Sequence, residues 1–117
     1  MKKDQLDEVI QKLCHDSGFD KEMAVFVIET YLKQTQEILT AAFETIRHME
    51  SDSYLKLEAL MHKLKGSSGN VRAMRIMELS IEAENFAKEK KIMDLEHKLS
   101  EVVEIIDAYN AQLIGGI

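Results

Sequence analysis

The residues best equipped for chemistry stand in one run: Ala59-Leu60-Met61-His62-Lys63-Leu64-Lys65-Gly66-Ser67-Ser68-Gly69-Asn70-Val71-Arg72-Ala73. Imidazole titrates at about 6.5 in model peptides, so near neutrality a large share of it is uncharged and nucleophilic. Lys65, three residues past His62, places an ammonium near any group attached to the ring, and Ser67 and Ser68 add hydroxyl donors. Read as a helix at roughly 100° per residue, Leu57, Leu60, Met61 and Leu64 define the buried direction, and His62 falls about 140° from it, toward water. Leu55, Ala59 and Gly66 share that outward side. It is small and apolar where a solvated face usually carries Glu, Lys or Gln. Gly66 is costly there, because glycine inside a helix is roughly 1 kcal/mol worse than alanine. Close approach accounts for it: without a Cβ at position 66, another protein's surface reaches the imidazole. Imidazole, neighbouring cation, hydroxyls and a gap together describe a phosphoryl-accepting site. The nucleophile needs one ring nitrogen free and the other fixed, and Glu82 and Glu84 are both candidates for the fixing group.

Apolar periodicity defines the elements that must position this run. A first segment, Asp4 to about His15, carries Leu6, Val9, Ile10 and Leu13 on one face and ends at Asp16-Ser17-Gly18. A second runs from about Asp20, a plausible N-cap, to Met49, with Phe26, Ile28, Tyr31, Leu32, Ile38, Leu39, Ala42, Phe43 and Ile46 as its apolar side. It would be about 45 Å long as one helix, with a bend expected at Lys33-Gln34-Thr35-Gln36. The third, about Ser53 to Ser68, follows the start signal Ser51-Asp52-Ser53 and stops at Gly69-Asn70, residues that tolerate positive φ. The fourth spans about Arg72 to Glu89. The fifth, about Ile92 to Leu113, has the cleanest period: Ile92, Leu95, Leu99, Val102, Ile106, Tyr109, Leu113. Gly115-Gly116 is expected to fray. Short connections make neighbouring helices antiparallel. The expected architecture is all-α: an antiparallel up-and-down four-helix bundle, residues 19–113, with a cap helix in 1–18 and a tail in 114–117, all one domain of 1–117.

Composition agrees and narrows the function classes. The 117 residues hold no Pro, no Trp, five Gly and 45% apolar residues, a helix-forming mixture of a size suited to one core. A net charge of −6 lacks the basic footprint of a nucleic-acid binder. The single Cys14 has no internal partner, and no apolar run approaches the roughly 18–20 residues that span a bilayer. No apolar stretch follows Met1-Lys2-Lys3-Asp4-Gln5, so no signal peptide is visible. A cytoplasmic location, no nucleic-acid or membrane partner and a monomeric state are the expectations. His15, His48 and His97 lack metal-ligand spacing and read as surface residues. The seven Met residues read as core filler.

His62-Lys63-Leu64-Lys65-Gly66-Ser67-Ser68, followed by Ala73, Ile76 and Leu79, resembles the signature of histidine-containing phosphotransfer (HPt) domains: His-x-Leu-Lys-Gly-Ser, a small-residue turn, then Gly-Ala and a Leu-rich helix ending in Glu. The motif spans about His62 to Glu84, and the helical pattern extends the likeness over almost the whole chain. The resemblance implies that His62 is phosphorylated on Nε2 while Glu84, by its spacing, holds Nδ1. It implies that Lys65 neighbours the phosphate and that Gly66 leaves room for a receiver domain. Leu55, Ala59, Lys63 and Lys88 would then border the docking partner, Lys88 from one turn beyond Glu84. The chain departs from the family in one place: Arg72 stands where the family has Gly before Ala73, which bears on the turn geometry or the docking rim.

The activity so implied is a phosphorelay carrier moving a phosphoryl group between receiver aspartates, with no cofactor of its own and Mg²⁺ brought by the receiver. No nucleotide loop such as GxxxxGK[ST] occurs, so the chain reads as a carrier and not as a kinase or other self-contained enzyme. Two alternatives stand beside this: the phosphorylated segment of a larger hybrid or chemotaxis-type histidine kinase, and a helical scaffold that binds its partner without phosphorylation.

Overall fold

The computed structural model describes residues 5–115, so the expected helix start at Asp4 and the fraying at Gly116 lie outside the described residues. Five helices follow one another: α1 (Leu6–Ser17), α2 (Lys21–Arg47), α3 (Ser53–Asn70), α4 (Met74–Lys88) and α5 (Ile92–Ile114). Among the described residues there is no strand. Consecutive helices pack on one another, α3 most extensively on α4, and α2 also meets α5. One apolar core runs through all five, built from Leu6, Ile10 and Leu13 of α1, Ile28 and Leu39 of α2, Leu57, Met61 and Leu64 of α3, Ile76 and Leu79 of α4, and Leu99 and Ile106 of α5. Burying side chains of this size, at about 1.5–3 kcal/mol each relative to exposure, is what holds the helices in register.

The ends of the helices show how local chemistry fixes the path. Asp20 caps α2, its carboxylate accepting from the Met23 N–H at 2.8 Å. Gly18 closes α1 with φ +71°, the left-handed backbone that glycine adopts without strain. The Leu6 N–H donates to Gln112 Oε1 at 3.1 Å, tying the start of α1 to α5.

Four expectations need correction. Helix α2 is a single 27-residue helix through Lys33-Gln34-Thr35-Gln36. Polarity interrupts the pattern there because Thr35 itself is buried. Phe26, expected on the apolar face of α2, is 65% exposed. Gly69-Asn70 do not stop α3, since both are helical. The left-handed residue is Arg72, at φ +67°, and the Ala73 N–H reaches back to the Ser68 carbonyl at 2.9 Å, the six-to-one closure of a Schellman ending. Helix α4 closes the same way, with Lys90 at φ +58° and the Lys91 N–H on the Phe86 carbonyl at 2.9 Å. Finally, of the described methionines only Met61 is buried, whereas Met23, Met49, Met74 and Met93 are exposed.

Gly69 has a packing role instead. A Cβ built on it would lie 3.2 Å from Met77 Sδ, so a side chain there would require the Met77 thioether to shift by a few tenths of an ångström. Deeper in the same contact zone, the Tyr31 hydroxyl and Ser68 Oγ are 2.7 Å apart and buried, joining α2 to α3. Burial pushes the Tyr31 phenol up to about 12, against the smaller opposing pull of that bond.

Candidate functional site

Helix α3 turns its Leu57–Met61–Leu64–Ser68 side into the core, which carries His62 outward. The His62 side chain is 69% exposed. Helix α4 runs alongside with Ala83 and Ala87 buried, and these small side chains let the neighbouring Glu84 lean onto α3. Its Oε2 lies 3.3 Å from His62 Nδ1 and its Oε1 3.2 Å from Lys65 Nζ. Lys88 Nζ stands 4.0 Å from the same Oε2, one helical turn on. Of the two acids that sequence left open, Glu84 meets the ring. Glu82 turns to Lys98 of α5, 2.8 Å away.

The electrostatics decide the ring's hydrogen bonding. The Glu84 side chain is 11% exposed, and burial raises its carboxyl. The Lys65 hydrogen bond, with the charges of Lys65, Lys88 and His62, outweighs burial and leaves the group below the ordinary glutamate value. Glu84 is therefore an anion near neutrality, and a carboxylate only accepts hydrogen bonds. The proton of a neutral His62 ring then belongs on Nδ1, and the lone pair on Nε2. No group among the described residues bonds Nε2.

The outward face beside the ring is open. A Cβ built on Gly66 meets nothing within 4 Å, so packing within the chain does not require glycine at this position. Leu55 is 70% exposed, and Ala59 and Lys63 are exposed as well. Ser67 and Ser68 stand elsewhere. Ser67 Oγ donates to the Leu64 carbonyl at 3.2 Å and lines a groove of about 270 Å³ with Phe26, Thr30, Gln34 and Asn70. Ser68 is fully buried and bonded to Tyr31, which removes it from any group on His62. Helical geometry is the reason: positions five and six beyond His62 are rotated about 140° and 240° from it.

Sequence reasoning missed two features. The groove between α2 and α3 is one, because a period-based reading assigned Phe26 to the core. The other is the bond network of Arg72. Its Nε donates to Asp16 Oδ2 at 2.7 Å and its Nη1 to the Gly69 carbonyl at 2.8 Å. The Asp16 carboxyl is held below its ordinary value by that hydrogen bond. Arg72 thus fastens the end of α1 to the α3–α4 turn while occupying a backbone conformation that suits glycine. Its place before Ala73 was visible in the sequence, but its left-handed φ was not. His15, His48 and His97 are exposed, and no group of three or more His, Cys, Asp or Glu among the described residues could hold a metal ion. No helix among them is long and apolar enough to cross a membrane.

The family model described as "Hpt domain" matches residues 27–112. The chain belongs to the Hpt domain family. The match begins within α2 and ends within α5, so it takes in the whole of α3 and α4 and both partners of the His62–Glu84 contact. Searches of characterised proteins and of solved structures gave no match. Membership implies a phosphotransfer role in two-component signalling. Hpt domains are phosphocarriers rather than enzymes with a catalytic site of their own, and the family works with receiver domains in phosphorelays.

Proposed function

We propose that this chain carries a phosphoryl group on His62, taking it from the phospho-aspartate of one receiver domain and delivering it to the aspartate of another. The observation that carries the reading is the His62–Glu84 contact at 3.3 Å beside the open face at Gly66. Nε2, with its lone pair, attacks phosphorus in line. The Nε2–P bond forms as the acyl P–O bond breaks, and the receiver's aspartate leaves as a carboxylate with the bonding electrons. The Nδ1 proton stays where it is. The ring consequently gains a positive charge in the transition state, facing the Glu84 anion, and a preformed countercharge at a developing charge lowers the barrier. Lys65 is close enough to serve the transferred oxygens. Mg²⁺ and the rest of the electrostatic stabilisation belong to the receiver, in keeping with phosphoryl transfer generally. The reverse sequence discharges the carrier.

The docking surface spans His62, Gly66, Leu55, Ala59 and Lys63 and continues into the α2–α3 groove, where exposed Phe26 adds apolar area. Lys88 borders it from α4. We read α2–α5 as an antiparallel up-and-down four-helix bundle capped by α1 within one domain. The short connections 48–52, 71–73 and 89–91 and the contact of α2 with α5 support that arrangement. A cytoplasmic, monomeric carrier with no cofactor of its own completes the proposal.

The test is to mix the protein with a phosphorylated receiver and follow the label. Acid-labile, base-stable phosphate on the carrier is expected, and His62→Gln should take none. Label that survives this substitution refutes the site.

A further inference from the structure

Two ammonium groups and the imidazole share one carboxylate at the site, and they do so unequally. Glu84 Oε1 is taken by Lys65 at 3.2 Å, whereas Oε2 faces both His62 Nδ1 at 3.3 Å and Lys88 Nζ at 4.0 Å. Lys65 is therefore already engaged before any phosphoryl group arrives. A phosphoryl group on Nε2 adds strong anionic acceptors that compete for the Lys65 ammonium. If Lys65 left and nothing replaced it, Glu84 would lose the nearer of its two ammonium contacts at the moment its position on Nδ1 matters most.

Resting on the carrier reading above, we infer that Lys88 is a positioning residue that takes over Glu84 when phosphorylation draws Lys65 away. The geometry suits a reserve. Lys88 lies one turn from Glu84 on the same helix, an i, i+4 pair. Its side chain is 53% exposed and free to shorten a 4.0 Å approach. The other charges in this part of the molecule are committed: Glu82 pairs with Lys98 of α5, which also reaches Glu101. The groups facing Glu84 are therefore His62 and Lys65 from α3 and Lys88 from its own helix. In the resting protein Lys65 bonds the carboxylate, and Lys88 contributes only its charge from 4.0 Å. In the phosphorylated protein Lys88 keeps the carboxylate on Nδ1, and the protonated ring, the form that releases phosphoryl readily, stays favoured.

The test uses the whole chain and potassium phosphoramidate, which transfers its phosphoryl group to imidazole with release of ammonia. The pH titration of the His62 ring is followed by NMR before and after loading, in the wild type, Lys88→Gln and Lys88→Arg. In loaded Lys88→Gln the ring's titration should move down by roughly half a unit, because Glu84 is loosened, and Lys88→Arg should restore it. In the unloaded protein Lys88→Gln should cause no downward movement. An unmoved titration in the loaded variant overturns the inference. So does an upward one, which would mean that Lys88 serves the phosphoryl oxygens directly, and so does an equal fall in both forms, which would make Lys88 a general support. A wild type that takes no phosphoryl on His62 would instead strike the carrier reading itself.

Discussion

Glu84 reaches across from α4 to within 3.3 Å of His62 Nδ1 while its other oxygen bonds Lys65 at 3.2 Å, so one nearly buried carboxylate meets both ring and ammonium; in the proposed carrier it orients the nucleophile and stores the neighbouring cation. The two duties separate by substitution. Glu84→Gln keeps a carbonyl acceptor for Nδ1 but removes the charge that opposes the developing imidazolium. Glu84→Ala removes both. A hydrogen bond to a charged group is worth about 1.5–3 kcal/mol, so phosphotransfer from a receiver should slow about tenfold in the Gln variant and about 100-fold in the Ala variant. Rapid-quench measurement of the transfer rate checks the order; equal rates in the two variants would mean that the charge contributes nothing.

The same carboxylate gives stability a pH dependence of definite sign. The Glu84 carboxyl is held below its ordinary value of 4.5 in the folded protein. A group depressed on folding stabilises the native state fully above its unfolded value, and this contribution is lost as pH falls through the folded value. Melting temperatures recorded from about pH 7 down to about pH 3 should fall on the acid side, and Glu84→Gln should flatten that limb relative to the wild type.

Gly66 sets stability against access. Because an added Cβ meets nothing within 4 Å, Gly66→Ala should stabilise α3 by about 1 kcal/mol and raise the melting temperature by about 4 °C. The same methyl group would stand on the proposed docking face, so transfer from a receiver should slow while loading by phosphoramidate, a small donor, should not. A variant that gains stability with no loss of receiver transfer would show that the gap serves no partner.

Arg72 carries a left-handed backbone, φ +67°, that favours glycine. Arg72→Ala and Arg72→Gly both remove the bond to Asp16, but only the glycine variant also relieves the backbone. Urea unfolding should find Arg72→Gly more stable than Arg72→Ala by about 1 kcal/mol. Equal stabilities would place the turn outside the strained region.

The candidate site was legible to the extent that helix geometry is local. The rotation of roughly 100° per residue puts His62 outside and Leu57, Met61 and Leu64 inside whatever the partners are, and the structure agrees. The same rule, applied five and six positions on, moves Ser67 and Ser68 off the His62 face, and reading the run as a list of donors overlooked that rotation. The resemblance supplied Glu84 by its spacing. Residue types alone left Glu82 equally eligible, since the facing helix's rotation about its axis comes from side-chain packing between α3 and α4.

The sequence by itself determined that the chain is helical, where its helices lie to within a few residues, and which imidazole faces water, because periodicity and backbone propensity act between near neighbours. Tertiary structure decided the rest: Thr35 inside and Phe26 outside, the Tyr31–Ser68 bond beneath the groove, Arg72 in a glycine's conformation fastened to Asp16, and Glu84 between two lysines and the ring. Each of these depends on how helices far apart in sequence are rotated and spaced against one another, which no local pattern encodes.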